Sequence, residues 1–142
     1  MKNTALICVA ASMVLLAACT PRLLTPGTNP ETSISVVQGN SGAFYIVVDQ
    51  DPIVLRKKGR YKITWKVDTA GYTFHPTDGI KVTRTYKGIS GQITNCQEVP
   101  KSDGREFDCD NNNNGKGSHE YTITLLDRNK APLKGDPWIV ND

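Results

Sequence analysis

Between Tyr61 and Val67 the chain alternates without a break. Tyr61, Ile63, Trp65 and Val67 are apolar or aromatic, and Lys62, Thr64 and Lys66 separate them. A period of two sends successive side chains to opposite faces of an extended strand, so one face is buried and the other is wet. Trp65 therefore needs an apolar layer to meet, and is expected as a core anchor between two sheets. Other stretches repeat the theme. Ile34 to Val37 is short and β-branched, and Ala43 to Val48 is apolar throughout, the pattern of a central strand covered on both faces. Ile53-Val54-Leu55 follows a turn at Asp51-Pro52, and Arg56 to Arg60 turns the chain again through Gly59. Ile80 to Tyr86, a weaker Ile89 to Cys96, Phe107 to Cys109, Tyr121 to Leu126 and Trp138 to Val140 complete the series, with Asn129 to Asp136 read as a turn. Beyond residue 33, apolar residues do not recur at helical spacing over ten residues. The pattern predicts an all-β fold, an antiparallel immunoglobulin-like β-sandwich of about seven to nine short strands.

The first 18 residues have a different logic. Lys2 supplies a positive start, and Ala5 to Ala18 is almost wholly apolar. That run is shorter than the roughly 20 residues a spanning helix needs, and reads as the core of an export signal. It ends in Leu16-Ala17-Ala18-Cys19, which resembles the lipobox of bacterial lipoproteins. The resemblance implies cleavage before Cys19, a diacylglycerol on its thiol and acylation of the new amine. Each buried methylene contributes about 0.8 kcal/mol, so several acyl chains on one residue give lasting attachment where one chain gives only marginal binding. Thr20, in place of Asp, implies sorting to the outer membrane of a Gram-negative envelope, on a face the sequence does not specify. Three segments follow: a signal peptide over 1–18, a lipidated Cys19 and proline-rich tether over 19–33, and a sandwich domain over 34–142. Pro21, Pro26 and Pro30 extend the tether at roughly 3.1 Å per residue, a reach of about 40 Å.

Without the signal, 124 residues remain, enough for one modest core. Lys2 leaves with the signal, so 16 basic residues face 14 acidic ones, a net charge of +2. That balance excludes a nucleic-acid partner, which would need a strong basic excess. Cys8 leaves with the signal and Cys19 takes the lipid, so Cys96 and Cys109 remain in a compartment that permits disulfides. Their spacing does not fit a CxxC redox motif, and a disulfide is expected over a reactive or metal-binding pair. Two further stretches, Gly71-Tyr72-Thr73-Phe74 with Gly79-Ile80 and the closing Asp136-Pro137-Trp138-Ile139-Val140-Asn141, resemble a group of small exported proteobacterial proteins of uncharacterised function. The resemblance runs over roughly Asp49 to Asn141; it implies a β-sandwich and no mechanism.

Four constellations bear on chemistry. Blue copper needs two His, a Cys thiolate and usually an axial Met; His75, His119 and Cys109 are present, but no Met remains after Met13. Both histidines read as surface residues, and no cofactor is implied. Asp110 to Gly115 places oxygen side chains before a glycine as a calcium loop does, so Asp108, Asp110, Asn112 and Asn114 form a weak calcium candidate against a plain polar hairpin loop. Arg56, Lys57, Lys58, Arg60 and Lys62 could meet an anionic surface, or be a solvated tip whose lysines discourage edge pairing. Tyr72, Phe74 and His75 form an aromatic corner, a candidate binding loop. Catalysis has no carrier: no serine lies in a GxSxG setting, and Ser118, His119 and Glu120 alternate in direction along a strand. The expected role is a lipid-anchored, non-enzymatic binding or structural module of the cell envelope, with an envelope protein or glycan as partner. The alternatives are an assembly subunit of an envelope or secretion machine, or a periplasmic inhibitor of a host enzyme. Ser41-Gly42-Ala43 before Phe44-Tyr45 resembles the loop of lysozyme inhibitors in composition but not in chain order.

Overall fold

A computed structural model describes residues 28–142. The expected export signal, Cys19 and most of the tether lie outside the described residues. Along the described chain run β1 (Glu31–Gln38), β2 (Phe44–Val48), β3 (Ile53–Leu55), β4 (Tyr61–Val67), β5 (Thr73–Phe74), β6 (Ile80–Tyr86), β7 (Ile93–Glu98), β8 (Glu106–Asn111), β9 (Gly117–Leu126), β10 (Pro132–Gly135) and β11 (Trp138–Asn141). They form two sheets. The first has the order β2-β1-β4-β8-β7; in the second, β9 is the hub, with β10 and β11 along one edge, β5 and β6 along the other, and β3 beyond β11.

The inward residues of the two sheets make one core. Trp65, Ile63 and Val67 from β4 and Phe107 and Cys109 from β8 face Tyr121, Ile123 and Leu125 from β9, with Ile139 from β11. Trp65 is fully buried, and its indole N–H donates to the Tyr121 hydroxyl across the layers at 3.0 Å. Their ring centroids lie 5.3 Å apart, and those of Phe74 and Phe107 lie 5.4 Å apart. The alternation of Tyr61–Val67 thus does what its period requires. Its polar side forms a charge ladder on the outer face: Lys66 lies 3.1 Å from Glu31 and 3.6 Å from Glu106, and Lys62 lies 3.2 Å from Asp108.

Several expectations need correction. The described strands number eleven, because β5 and β10 are short pieces too brief to show a period; β5 lies in the segment read as an aromatic corner and β10 inside the segment read as a turn. The sandwich is also not purely antiparallel. β1 pairs β4 in parallel, and β11 pairs β3 in parallel, while the remaining pairs are antiparallel. Both exceptions involve the first and last described strands, each laid beside a strand far from it in sequence, β4 for β1 and β3 for β11. Order also begins earlier than residue 34. Thr32 is fully buried, its hydroxyl donates to Asp49, and Pro30 accepts from the Thr64 amide at 3.0 Å. Ala43–Val48 is not a covered central strand either. It supplies β2, the edge of the first sheet, and Phe44, Tyr45 and Val47 are about half exposed there, beside Val37 on β1.

Cys96 and Cys109 are joined by a disulfide, with an S–S length of 2.07 Å and Cα atoms 4.1 Å apart. The bond ties edge strand β7 to its neighbour β8, next to the register shift between Thr94 and Gln97. It fastens an edge within one sheet and does not cross the core.

Candidate functional site

The basic run and the asparagine-rich run, read separately in the sequence, meet at one end of the sandwich. β3 ends at Leu55 and β4 begins at Tyr61, so Arg56–Arg60 is the loop that carries the chain from one sheet to the other. Its backbone is fastened from beneath. The Asn113 side-chain amide donates to the Lys57 carbonyl at 2.6 Å and to the Leu55 carbonyl at 3.4 Å. The Gly59 amide donates to the Asn113 carbonyl at 3.3 Å, and the Tyr61 hydroxyl donates to the Lys57 carbonyl at 2.8 Å. Asn113 is itself buried and adopts a left-handed backbone, a conformation asparagine tolerates better than most residues.

Beneath Asn113 lies a chain of buried amides. Asn111 accepts from the Asn113 amide at 2.8 Å and exchanges hydrogen bonds with Asn141 at 2.9 and 3.3 Å. Asn141 reaches His119 Nε2 at 3.4 Å, and Nδ1 of the same ring lies 3.1 Å from the Thr85 hydroxyl. An amide donor at Nε2 selects the neutral ring with its proton on Nδ1, donated to Thr85. Burial lowers the His119 pKa and reinforces the neutral form. From the other side Gln92, also buried, accepts from the amides of Asn114 and Gly115 at 2.9 and 3.2 Å.

Two clefts flank this tip. One of about 380 Å³ lies between Lys58, Gly59 and Arg60 and the side chains of Asn112 and Asn114. The other, of about 480 Å³, runs from Arg60 and Tyr61 past Asn29 to Thr94, Asn95, Asp110 and Asn112. Arg56, Lys57, Lys58 and Arg60 are exposed, and among the described residues none takes part in an ion pair. Lys62 differs: it lies 3.2 Å from Asp108 and 4.0 Å from Asp110. The free charge of the tip is thus four cations, not five.

That pairing also alters the calcium reading. Asp110 joins Asp108 on β8 and is not on the loop, and the Lys62 ammonium already sits against both carboxylates. Asn112 and Asn114 line the cleft beside Lys58 and Arg60, a setting that repels a cation. No group of three His, Cys, Asp or Glu side chains suited to a metal occurs among the described residues. His119 is not a surface residue; it is 1% exposed, because its strand β9 is flanked on both edges and this ring points inward. The aromatic corner is not a free loop. Phe74 is 1% exposed and belongs to the core, Tyr72 packs against it half-buried, and His75 Nδ1 accepts from the Asp78 amide at 3.2 Å.

Sequence reasoning missed Asn113, Gln92, Asn141 and Asn29. Amides carry no periodic signal, and a run of four asparagines reads as a solvated turn whether its side chains point in or out. One cue existed: Asn141 lies two residues after Ile139 in an alternating strand, which places it on the inward face.

Neither the protein families nor the curated proteins compared with this chain offer a match. The class defined by the fold and the site is a disulfide-stapled all-β sandwich with a braced cationic tip.

Proposed function

We propose that this protein is a lipid-anchored, non-enzymatic binding or structural module of the Gram-negative cell envelope. Its export signal and the lipobox resemblance of Leu16-Ala17-Ala18-Cys19 support the address and the anchor. The binding role rests on one observation. Among the described residues, four of the six exposed large apolar side chains, Val37, Phe44, Tyr45 and Val47, gather on edge strand β2 and its neighbour β1, while Tyr86 and Ile89 lie elsewhere. An uncharged edge strand with open hydrogen-bonding groups invites pairing, and natural sheets usually guard such edges with lysine or proline. β2 carries neither. The same edge favours the assembly-subunit reading over the inhibitor reading, because strand addition suits a lasting contact.

The polar groups that chemistry would need are engaged in structure. His119 closes a buried amide network, His75 caps a turn, and Asp110 accepts from Asn95 at 2.9 Å. The test is an envelope pull-down of three forms of the full chain: unaltered, Cys19→Ala and Val47→Lys. The unaltered form should fractionate with outer membrane, show acyl mass on Cys19 and retain a stoichiometric partner. Cys19→Ala should lose the membrane, and Val47→Lys should lose the partner while remaining anchored. A mature chain with a bare thiol in the aqueous fraction would sink the reading.

A further inference from the structure

The point where the chain enters the domain lies beside the cationic tip. Asn29 accepts from the Lys62 amide at 2.9 Å, and the Pro30 carbonyl accepts from Thr64. Asn29 and Arg60 line the same cleft. The segment that leads back toward Cys19 therefore leaves from the end of the sandwich that carries Arg56, Lys57, Lys58 and Arg60. Thr28 lies nine residue steps after Cys19. Even at full extension, roughly 3.5 Å per residue, those steps reach only about 32 Å. An anchor on Cys19 would hold this end, and not the opposite one, toward the bilayer.

We propose that the Arg56–Arg60 tip docks on anionic phospholipid headgroups of the membrane that holds the anchor. This rests on the lipid-anchored reading above. Charge complementarity names the partner: four exposed cations without ion-pair partners among the described residues, on a loop whose backbone is held by Asn113. The loop needs little ordering on contact, so the charges are presented together. The cleft of about 380 Å³ between Lys58, Arg60, Asn112 and Asn114 offers two cations and two amides to phosphate oxygens. Asp110 is turned from this task by Lys62 and Asn95. The docked tip would orient the domain, with the apolar end of β1 and β2 at Val37 and Phe44 directed away from the lipid, because β1 runs from Glu31 beside β4 toward Gln38 at the far end.

Amine labelling read by mass spectrometry tests this. The mature chain as recovered from membranes is placed on vesicles of phosphatidylcholine alone, or with about a quarter phosphatidylglycerol. Lys57 and Lys58 should be protected on the order of fivefold in the anionic vesicles only. Protection should vanish in about 0.5 M salt, where screening is short-ranged. Lys130, in the turn between β9 and β10 at the opposite end, should label equally in both. Arg56→Gln with Arg60→Gln should weaken the protection without altering the melting curve. Equal labelling of Lys57 and Lys58 on the two vesicles would overturn the proposal, whatever the state of Cys19. A missing acyl mass on Cys19, with the tip still protected when the soluble chain meets the same vesicles, would sink the anchor reading and leave the docking surface standing.

Discussion

Tyr121 and Trp65 show how much a single buried polar contact can decide. Burial raises the Tyr121 pKa well above its ordinary value, so the hydroxyl stays neutral and available to the indole N–H. Tyr121→Phe keeps the ring but leaves that donor unsatisfied in the core. It should cost about 1–3 kcal/mol, read as a lower urea midpoint with an unchanged m-value. His119 makes the molecule sensitive to acid. Its folded pKa is depressed, so the unfolded chain takes up the proton first as pH falls. Its contribution is fully present above about pH 6.5 and is lost as pH drops below that value. Urea midpoints should therefore fall between about pH 7 and pH 5.5, and His119→Gln should flatten that slope. A midpoint that rises on acidification would contradict the buried neutral ring. Neither contact was visible in the sequence beyond the inward parity of Trp65 and Tyr121, since parity names a face and not the partner across the layer.

At the scale of elements, the weakest parts are the edges. β7 is joined to the sheet through β8 alone, and its ladder is broken between Thr94 and Gln97. The Cys96–Cys109 bond spans that break. Replacing both cysteines by alanine removes a constraint on the unfolded chain of about 3 kcal/mol in the chain-entropy picture, a loss of about 10 °C in Tm. Hydrogen exchange should localise the loosening to β7. β4 and β6 coincide with the stretches the pattern marked, whereas β9 begins at Gly117, four residues before the Tyr121 from which its alternation was read. β2 was misread for a physical reason. Continuous apolar sequence signals burial on both faces only if the sheet places the strand in its middle, and position in a sheet is a property of distant strands. β10 was missed because four residues with Pro132 and Gly135 carry no period.

As a whole, the molecule has two unlike ends. The cationic tip, the incoming chain and the amide network share one, and the Gly39–Ala43 hairpin turn and the apolar edge lie toward the other. A core joined across both sheets by Trp65 and Tyr121 should unfold as one unit. Trp fluorescence and far-UV circular dichroism are expected to report the same melting midpoint, and separated midpoints would show that the sheets come apart independently.

What the amino-acid order determined alone was whatever depends on near neighbours: the strand periods, the buried face of β4, the turns at proline and glycine, and a pair of cysteines suited to one bond. Only tertiary structure decided that β1 and β11 pair in parallel with β4 and β3, that an apolar strand lies at an edge, and that asparagines fold inward to brace a basic loop. Those outcomes depend on contacts between residues far apart in the chain, such as Asn113 with Lys57 and Asn111 with Asn141. An amide's choice between water and a distant carbonyl is settled by the cavity the rest of the fold leaves for it, and no local pattern records that cavity.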